Sequence, residues 1–149
     1  MDKAVTDKIF ADLNSSLKER FGLDEQQLRS VSAAGQNTLT QTLKSYVMKN
    51  GSSEIEQILL GQKTYDSSGL KVEAEKDIKV AVNAAGIDHP QKEEIGQFAL
   101  SKAVDLLVTA FTASTYSKDL DGICGFIGID KNLLKMVNSP MGKLFGKFM

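Results

Sequence analysis

Gly22-Leu23-Asp24-Glu25-Gln26-Gln27 and Gly86-Ile87-Asp88-His89-Pro90-Gln91 are two versions of one short pattern: a glycine, an aliphatic residue, an aspartate and then polar residues. Each stretch opens a long run in which apolar residues recur every three to four positions, the period of an amphipathic helix. The glycine suits the end of a preceding helix, and the aspartate suits the cap of the next one. The pattern therefore predicts two related helical units in one chain.

The likeness of the two halves continues along the long helices at an offset of 64 residues. At this offset the apolar positions of the first half coincide with those of the second, so both halves present the same face for burial. We therefore expect an internal duplication, with repeat units 22–61 and 86–127 related by a pseudo-twofold axis. The aligned apolar pairs are Val31 and Ile95, Leu39 and Ala103, Leu43 and Leu107, and Val47 and Phe111.

Local capping signals predict where the helices begin. Asp24 and Gln27 have the spacing of a capping box, in which each side chain bonds the backbone N–H of the other. Asp88 is expected to cap the second long helix, with Pro90 in its first turn, where the missing N–H costs nothing. Ser53 is expected to begin a short helix in the same way.

Other segments carry signals for breaks, alternatives and connections. Gly35 predicts a kink or break in the first long helix. Residues 70–85 alternate as paired strands would, yet they also form a helical face. We favour the helix because no hairpin turn dipeptide divides the run. Residues 62–69 read as a linker, and residues 120–127 read as a short apolar helix whose glycines permit close packing.

Length and pattern together predict the fold class. A chain of 149 residues is most simply one domain, here residues 1–149. We predict an all-α single bundle of about six to eight helices, followed by a C-terminal amphipathic helical tail over residues 128–149. The faces expected to share one core are Leu28, Val31, Leu39, Leu43 and Val47 in the first half, and Ile95, Phe98, Leu106, Leu107 and Phe111 in the second.

Composition argues against several classes of partner and location. The net charge of −1, with both signs scattered, provides no basic field for a nucleic-acid backbone. The single cysteine cannot form an internal disulfide, and the first ten residues lack the apolar run of a secretory signal. The sequence contains no unbroken apolar stretch of 18 residues, which a membrane-spanning helix would need. We expect a cytoplasmic protein that binds no nucleic acid and does not enter a membrane.

The residues that carry chemistry are few. His89 and Cys124 are the only members of their kinds, and they read as a first-turn histidine and a small buried hydrophobe. Together they cannot supply the four nitrogen and sulfur ligands of a zinc site. The acidic residues near Gly122 resemble those of a calcium-binding loop. However, Gly128 occupies the position at which such a loop needs a glutamate that binds calcium through both carboxylate oxygens. We therefore predict no catalytic residues, no metal and no cofactor.

The C-terminal tail is the best candidate for an interaction surface. Its apolar residues fall on one face, and two lysines lie away from that face. Docking on the protein's own core, docking on a partner protein and association with a membrane all remain open for this segment. The residues of the candidate surface are Met141, Lys143, Leu144, Phe145, Lys147 and Phe148.

The duplicated unit resembles the pattern of the YidB-like family of bacterial proteins. The resemblance covers residues 22–61 and 86–128, including the Asp119-Leu120-Asp121-Gly122-Ile123 start of a glycine-spaced apolar stretch. The chain departs from the family's pattern in its tail, which carries scattered glycines and ends in a basic amphipathic segment. The resemblance implies a small helical bacterial protein, and it brings no catalytic residue because the family has none established.

Two functions remain open at this point. The first is a non-catalytic interaction or regulatory module that binds protein, either a partner or itself. The alternative is a carrier or sensor of a small apolar ligand held between the long helices, where Phe98, Phe111, Met48 and Leu107 would line the space.

Overall fold

A computed structural model describes residues 3–128 and Asn132 of this chain. These residues contain helices and no strand, so the protein is all-α, as the sequence predicts. A single 3₁₀ turn, Tyr65–Ser67, lies between the third and fourth helices. The six α-helices are α1 (Lys3–Phe21), α2 (Glu25–Asn50), α3 (Ser53–Leu59), α4 (Gly69–Ala84), α5 (Lys92–Ala113) and α6 (Leu120–Ile127).

Helix α5 forms the centre of the bundle. It contacts α1, α2, α3 and α4, which explains why its apolar stripe is broader than one face. Within the described residues it is the one helix long and apolar enough to cross a membrane by length and composition, and the core helix of a bundle meets the same test. Its buried residues are Ile95, Gly96, Ala99, Leu100, Ala103, Val104, Leu107 and Phe111.

The apolar faces predicted for the two halves share one core. Seven of the ten predicted residues are buried, while Leu39, Phe98 and Leu106 are half-buried and pack against the same cluster. The fourth helix, α4, covers one flank of this core against both α2 and α5. Residues 70–84 are therefore helical, and their helical face rather than their alternation decides the packing.

The start of α2 confirms the predicted capping box. Asp24 Oδ1 accepts a hydrogen bond from Gln27 N at 2.8 Å, and Gln27 Oε1 accepts one from Asp24 N at 3.1 Å. Gly22 adopts φ +63°, the left-handed conformation that ends α1 and that only glycine adopts without strain.

The start of α5 differs from the prediction. The helix begins at Lys92, so Asp88 is not its cap and Pro90 lies in the turn before it. A residue that precedes proline is disfavoured in the helical region, which delays the start beyond His89. His89 Nδ1 instead accepts a hydrogen bond from Gln91 N at 3.0 Å. The two halves therefore begin their long helices differently, and the internal duplication stays a prediction.

Two further local predictions are corrected. Helix α2 runs through Gly35 without a break, because its neighbours on both sides keep their helical hydrogen bonds and Gly35 is buried against α5; a kink there stays a prediction. Helix α3 already includes Ser53, and the residue at the cap position is Ser52, whose Oγ donates to Glu56 Oε2 at 2.9 Å. The predicted linker contains the buried Tyr65 within its 3₁₀ turn.

Helix α6 depends on close backbone contacts. Asp119 caps it by accepting a hydrogen bond from Gly122 N at 2.9 Å. A β-carbon on Gly122 would overlap the carbonyl oxygen of Ser117, so no larger residue fits there. The predicted role of this glycine in close packing is confirmed.

Candidate functional site

A large open depression lies between α2 and α4 and is here called the α2–α4 groove. Its volume is about 810 Å³. Short side chains form its floor, because Ala34, Thr38 and Thr42 are all buried where the two helices meet. The remaining lining residues are Ser30, Ala33, Asn37, Gln41 and Ser45 on α2, and Asp77, Val80, Ala81, Ala84 and Ala85 on α4.

The lining of this groove is almost without charge. Asp77 is its single charged lining residue among those described, and Thr42 Oγ1 donates a hydrogen bond to Asp77 Oδ2 at 2.7 Å. The α2 side belongs to a run of fourteen residues, 30–43, that contains no Asp, Glu, Lys or Arg. In a chain with 25% charged residues, such a run on a partly exposed helix forms a distinct surface.

The α4 side of the groove carries a protruding apolar side chain. Val80 lines the groove and is 69% exposed, more than any other large hydrophobic residue described. Val72, on the same helix, is 54% exposed and lines a separate depression between α4 and α5. A recess with a small-residue floor therefore lies directly beside the Val80 side chain.

A second depression, here called the α1–α2 cleft, lies on another side of α2. Its volume is about 280 Å³, and apolar side chains from four helices form it. The last described residue of the main range, Gly128, is part of its wall. The lining residues are Thr6 and Phe10 on α1, Gln36, Leu39, Thr40, Leu43 and Lys44 on α2, Leu107 on α5, and Ile127 and Gly128.

A half-buried carboxylate holds α4 in position beside α2. Glu54 of α3 accepts hydrogen bonds from Lys63 Nζ at 2.8 Å and from Leu70 N at 2.9 Å, the latter in the first turn of α4. Its third donor is the hydroxyl group of Tyr46 on α2. Partial burial raises the pKa of Glu54, but the three hydrogen bonds together outweigh burial and keep the pKa below its ordinary value.

Tyr46 completes this junction from the α2 side. Burial, followed by its hydrogen bond to Glu54, raises the pKa of Tyr46 to about 12. A β-carbon on Gly69 would lie 2.7 Å from the Tyr46 hydroxyl oxygen, so glycine at this position gives the ring its room. The junction therefore sets the spacing of α2 and α4 at one end of the α2–α4 groove.

The structure places some of the residues that the sequence predicts to be functional, and others lie outside the described range. The candidate surface from Met141 to Phe148 lies outside the described residues. The four side chains proposed to line a ligand cavity do not meet in one space: Phe98 packs on Phe21 with ring centroids 5.6 Å apart, and Phe111 packs on Phe126 at 5.2 Å. Met48 is half-buried on α2, and Leu107 alone reaches the α1–α2 cleft.

The apolar interior leaves little free volume near that cleft. The void that Leu39, Leu43 and Leu107 share with residues of α3 and α4 measures about 10 Å³. One water molecule needs roughly 10–15 Å³ by this measure, and ligand pockets are typically about 300–1,000 Å³. The apolar-ligand alternative therefore has no preformed cavity of that size in the described core, and it stays a prediction.

The two residues considered for nucleophilic or metal chemistry occupy ordinary structural positions. Cys124 is buried in α6, as predicted, and the His89 ring accepts a backbone hydrogen bond before α5. Among residues 3–128, no three His, Cys, Asp or Glu side chains lie together as metal ligands would.

Comparison with known proteins adds no relative: no family model, no curated protein and no solved structure matches this chain. The resemblance to YidB-like proteins therefore stays a prediction, as do bacterial origin and cytoplasmic location.

The sequence contains a signal for the α2–α4 groove that capping and periodicity do not use. The run 30–43 combines Ser, Thr and Asn, which are weak helix formers, with Gln, and it lacks the charges that normally solubilise an exposed helix face. Such a run is unusual on a helix face that is exposed to water. Only the tertiary structure pairs it with the small residues and Val80 of α4.

Proposed function

We propose that this protein is a non-catalytic protein-interaction module that associates with a second copy of itself through the α2–α4 groove. The observation that carries the proposal is the uncharged lining of that groove on an otherwise charged chain. The centres of protein interfaces are depleted of charged residues and enriched in aromatic residues, Met and Arg. The groove shares the first of these features along the exposed length of α2.

The shape of the surface favours a second copy as the occupant. In a twofold interface the same patch occurs on both partners, so a knob must lie beside a recess that accepts it. Val80 supplies the knob, and the small floor residues Ala34, Thr38 and Ala81 supply the recess. The single charged lining group, Asp77, already has a hydrogen-bond partner in Thr42, which reduces the cost of covering it.

The size of the groove determines the strength that we expect. Residues 30–45 of α2 extend over about 22 Å at the helical rise, and two adjacent helices are about 20 Å wide. The face measures roughly 450 Å² on each copy, so a dimer would bury on the order of 900 Å², below the range of stable complexes. The association should therefore be weak and reversible.

Sedimentation velocity of the full chain from micromolar to millimolar concentration tests this proposal. We expect a concentration-dependent shift from monomer to dimer. Gln41→Glu and Val80→Glu each place a charge at the interface and should shift the transition to at least tenfold higher concentration, which corresponds to about 1.4 kcal/mol. Gln97→Glu makes the same chemical change on an exposed position of α5 outside the groove and should leave the transition in place.

Two results would overturn the proposal. A monomer at every concentration removes self-association altogether. A dimer that is equally weakened, or equally unaffected, by Gln41→Glu and Gln97→Glu forms through another surface. Far-UV circular dichroism of each variant confirms that the helices are intact.

A further inference from the structure

We propose that the second copy in the α2–α4 groove lies antiparallel to the first, with the twofold axis crossing α2 between Asn37 and Thr38. This inference rests on the proposed function and deepens it, because it specifies the orientation of the partner copy and the residues that select that orientation. In this arrangement α2 packs on α2 of the second copy, and α4 packs on α4.

The α2–α4 groove has two ends that differ in side-chain size. Its helices run in opposite directions, since the Tyr46 hydroxyl group lies beside Gly69 at the start of α4, and Thr42 donates to Asp77 about two turns further along α4. One end of the groove, here called the bulky end, therefore combines later residues of α2 with Asp77, and the opposite end combines earlier residues of α2 with the last residues of α4. The bulky end consists of Gln41, Thr42, Ser45 and Asp77, and the opposite end, here called the alanine end, consists of Ser30, Ala33, Ala34, Ala84 and Ala85.

The spacing of the lining residues on α2 is symmetric about the point between Asn37 and Thr38. The lining positions on this helix are 30, 33, 34, 37, 38, 41, 42 and 45, so each position has a counterpart at the same distance on the other side of that point. A twofold axis across α2 at this point makes each lining position face its counterpart in the second copy. Position 41 then faces position 34, and position 45 faces position 30.

The sizes of the facing side chains favour this orientation. Gln41, the longest side chain on the α2 side, faces the buried Ala34 of the second copy, and Val80 meets α4 of the second copy near its Ala81. Large side chains that pack opposite small ones fill a contact evenly. An axis parallel to the helices would instead place like ends together, which leaves a gap between the alanine ends and crowding between the bulky ends.

Thiol cross-linking in the full chain tests the orientation. The first variant, the Ser45→Cys pair, combines Ser30→Cys with Ser45→Cys, because these positions face each other only across the antiparallel interface. Within one molecule they are fifteen residues apart on one helix, about 22 Å at the helical rise, which a short bismaleimide does not span. The matched control, the Lys44→Cys pair, combines Ser30→Cys with Lys44→Cys, which lies next to Ser45 but lines the α1–α2 cleft. The wild type reports any reaction of the buried Cys124.

At the highest concentration used for sedimentation velocity, the Ser45→Cys pair should give a cross-linked dimer in several-fold higher yield than the Lys44→Cys pair. Val80→Glu added to the Ser45→Cys pair should reduce that yield several-fold, because it places a charge in the same interface. If sedimentation shows a dimer that depends on the groove but both pairs give equal yields, or neither cross-links, the orientation is wrong and the proposed function stands. If the wild type stays monomeric and no variant cross-links, both fail.

Discussion

Gly35 of α2 faces Ala99 of α5, and a β-carbon built on Gly35 would lie 3.9 Å from Ala99 Cβ, an ordinary van der Waals distance. The two residues are 64 positions apart, the offset that aligns the two halves of the sequence. In a twofold arrangement, residues at the axis contact their own equivalents. If the halves are duplicates, this contact is where their pseudo-twofold axis passes.

Gly35→Ala should stabilise the protein. The new methyl group has room against Ala99, and alanine in a helix interior is about 0.5–1 kcal/mol more favourable than glycine. Urea denaturation should therefore show a higher midpoint with an unchanged slope.

Gly96→Ala provides the contrast on α5. Its β-carbon would lie 3.1 Å from Ile78 Cγ1 and 3.1 Å from Val82 Cγ2, and both neighbours are buried and β-branched. Stiff side chains cannot rotate away, so we expect a net loss of about 1 kcal/mol despite the better helix propensity. If Gly96→Ala stabilises the protein as Gly35→Ala is expected to, then α4 and α5 can move apart more easily than their packing implies.

Glu54→Gln should destabilise the protein by about 1–3 kcal/mol at neutral pH, because it removes the charge that accepts three hydrogen bonds in a partly buried site. The folded-state pKa of Glu54 lies below its ordinary value, so the unfolded chain binds its proton first as the pH falls. The stabilisation is therefore complete above about pH 4.3 and disappears as the pH falls through the lower folded-state value.

Urea denaturation of the wild type and the variant at neutral and acidic pH measures this difference. The two curves should converge in acid. Glu25→Gln is the control, since the Glu25–Arg29 pair is at 3.6 Å with both side chains more than 80% exposed and should contribute little. A gap between wild type and Glu54→Gln that persists unchanged in acid contradicts a role for the ionised carboxylate.

Tyr65→Phe should leave the stability unchanged or raise it by about 1 kcal/mol. The Tyr65 hydroxyl is buried and finds no hydrogen-bond partner among the described residues, and burial is the main cause that raises its pKa. Removing an unsatisfied buried group relieves a desolvation cost. Tyr46→Phe makes the same chemical change but removes the hydrogen bond to Glu54, so it should cost about 1 kcal/mol.

Thermal unfolding of both tyrosine variants compares them under one condition. An equal loss of stability would mean that the Tyr65 hydroxyl is satisfied, for example by an ordered water molecule.

Lys118→Met should destabilise the end of α5 by about 1 kcal/mol. Lys118 Nζ donates to the carbonyl oxygens of Phe111 at 2.6 Å and of Ser114 and Tyr116 at 3.0 Å, and it lies 4.5 Å from the Phe111 ring centroid. Hydrogen exchange of the amides in α6 should accelerate in the variant, because this ammonium group anchors the loop that leads into that helix.

Lys79→Met is the matched control for that experiment. Lys79 pairs with Glu93 at 3.6 Å on an exposed surface and should contribute little. If Lys118→Met and Lys79→Met behave alike, the carbonyl cluster around Lys118 adds no stability.

The sequence predicted most of the local structure but erred where contacts beyond the local turn decide the outcome. The Asp24 box follows from side chains that bond their own first turn, so short-range rules were sufficient. Position 88 also holds an aspartate, yet Asp88 is not a cap because the proline after His89 delays the start of the helix. Instead, Gln27 Nε2 of α2 donates a hydrogen bond to the Asp88 carbonyl oxygen at 3.2 Å.

The candidate surfaces were less accessible to sequence reasoning. The charge-free run 30–43 is visible in the sequence, but its meaning depends on which helix lies beside it. Val80 and Asp77 are about forty residues further along the chain and reach the groove only because α4 packs on α2. The tail surface is predicted from its apolar face alone, and that face does not identify what covers it.

The sequence alone determined that this protein is a helical bundle, since the period of its apolar residues and its capping groups specify helices and their buried faces. The tertiary structure alone decided which helices are neighbours, and with them the α2–α4 groove and the α1–α2 cleft. The reason is physical: helix formation depends on residues within about four positions of one another, whereas a surface depression depends on side chains brought together from distant parts of the chain.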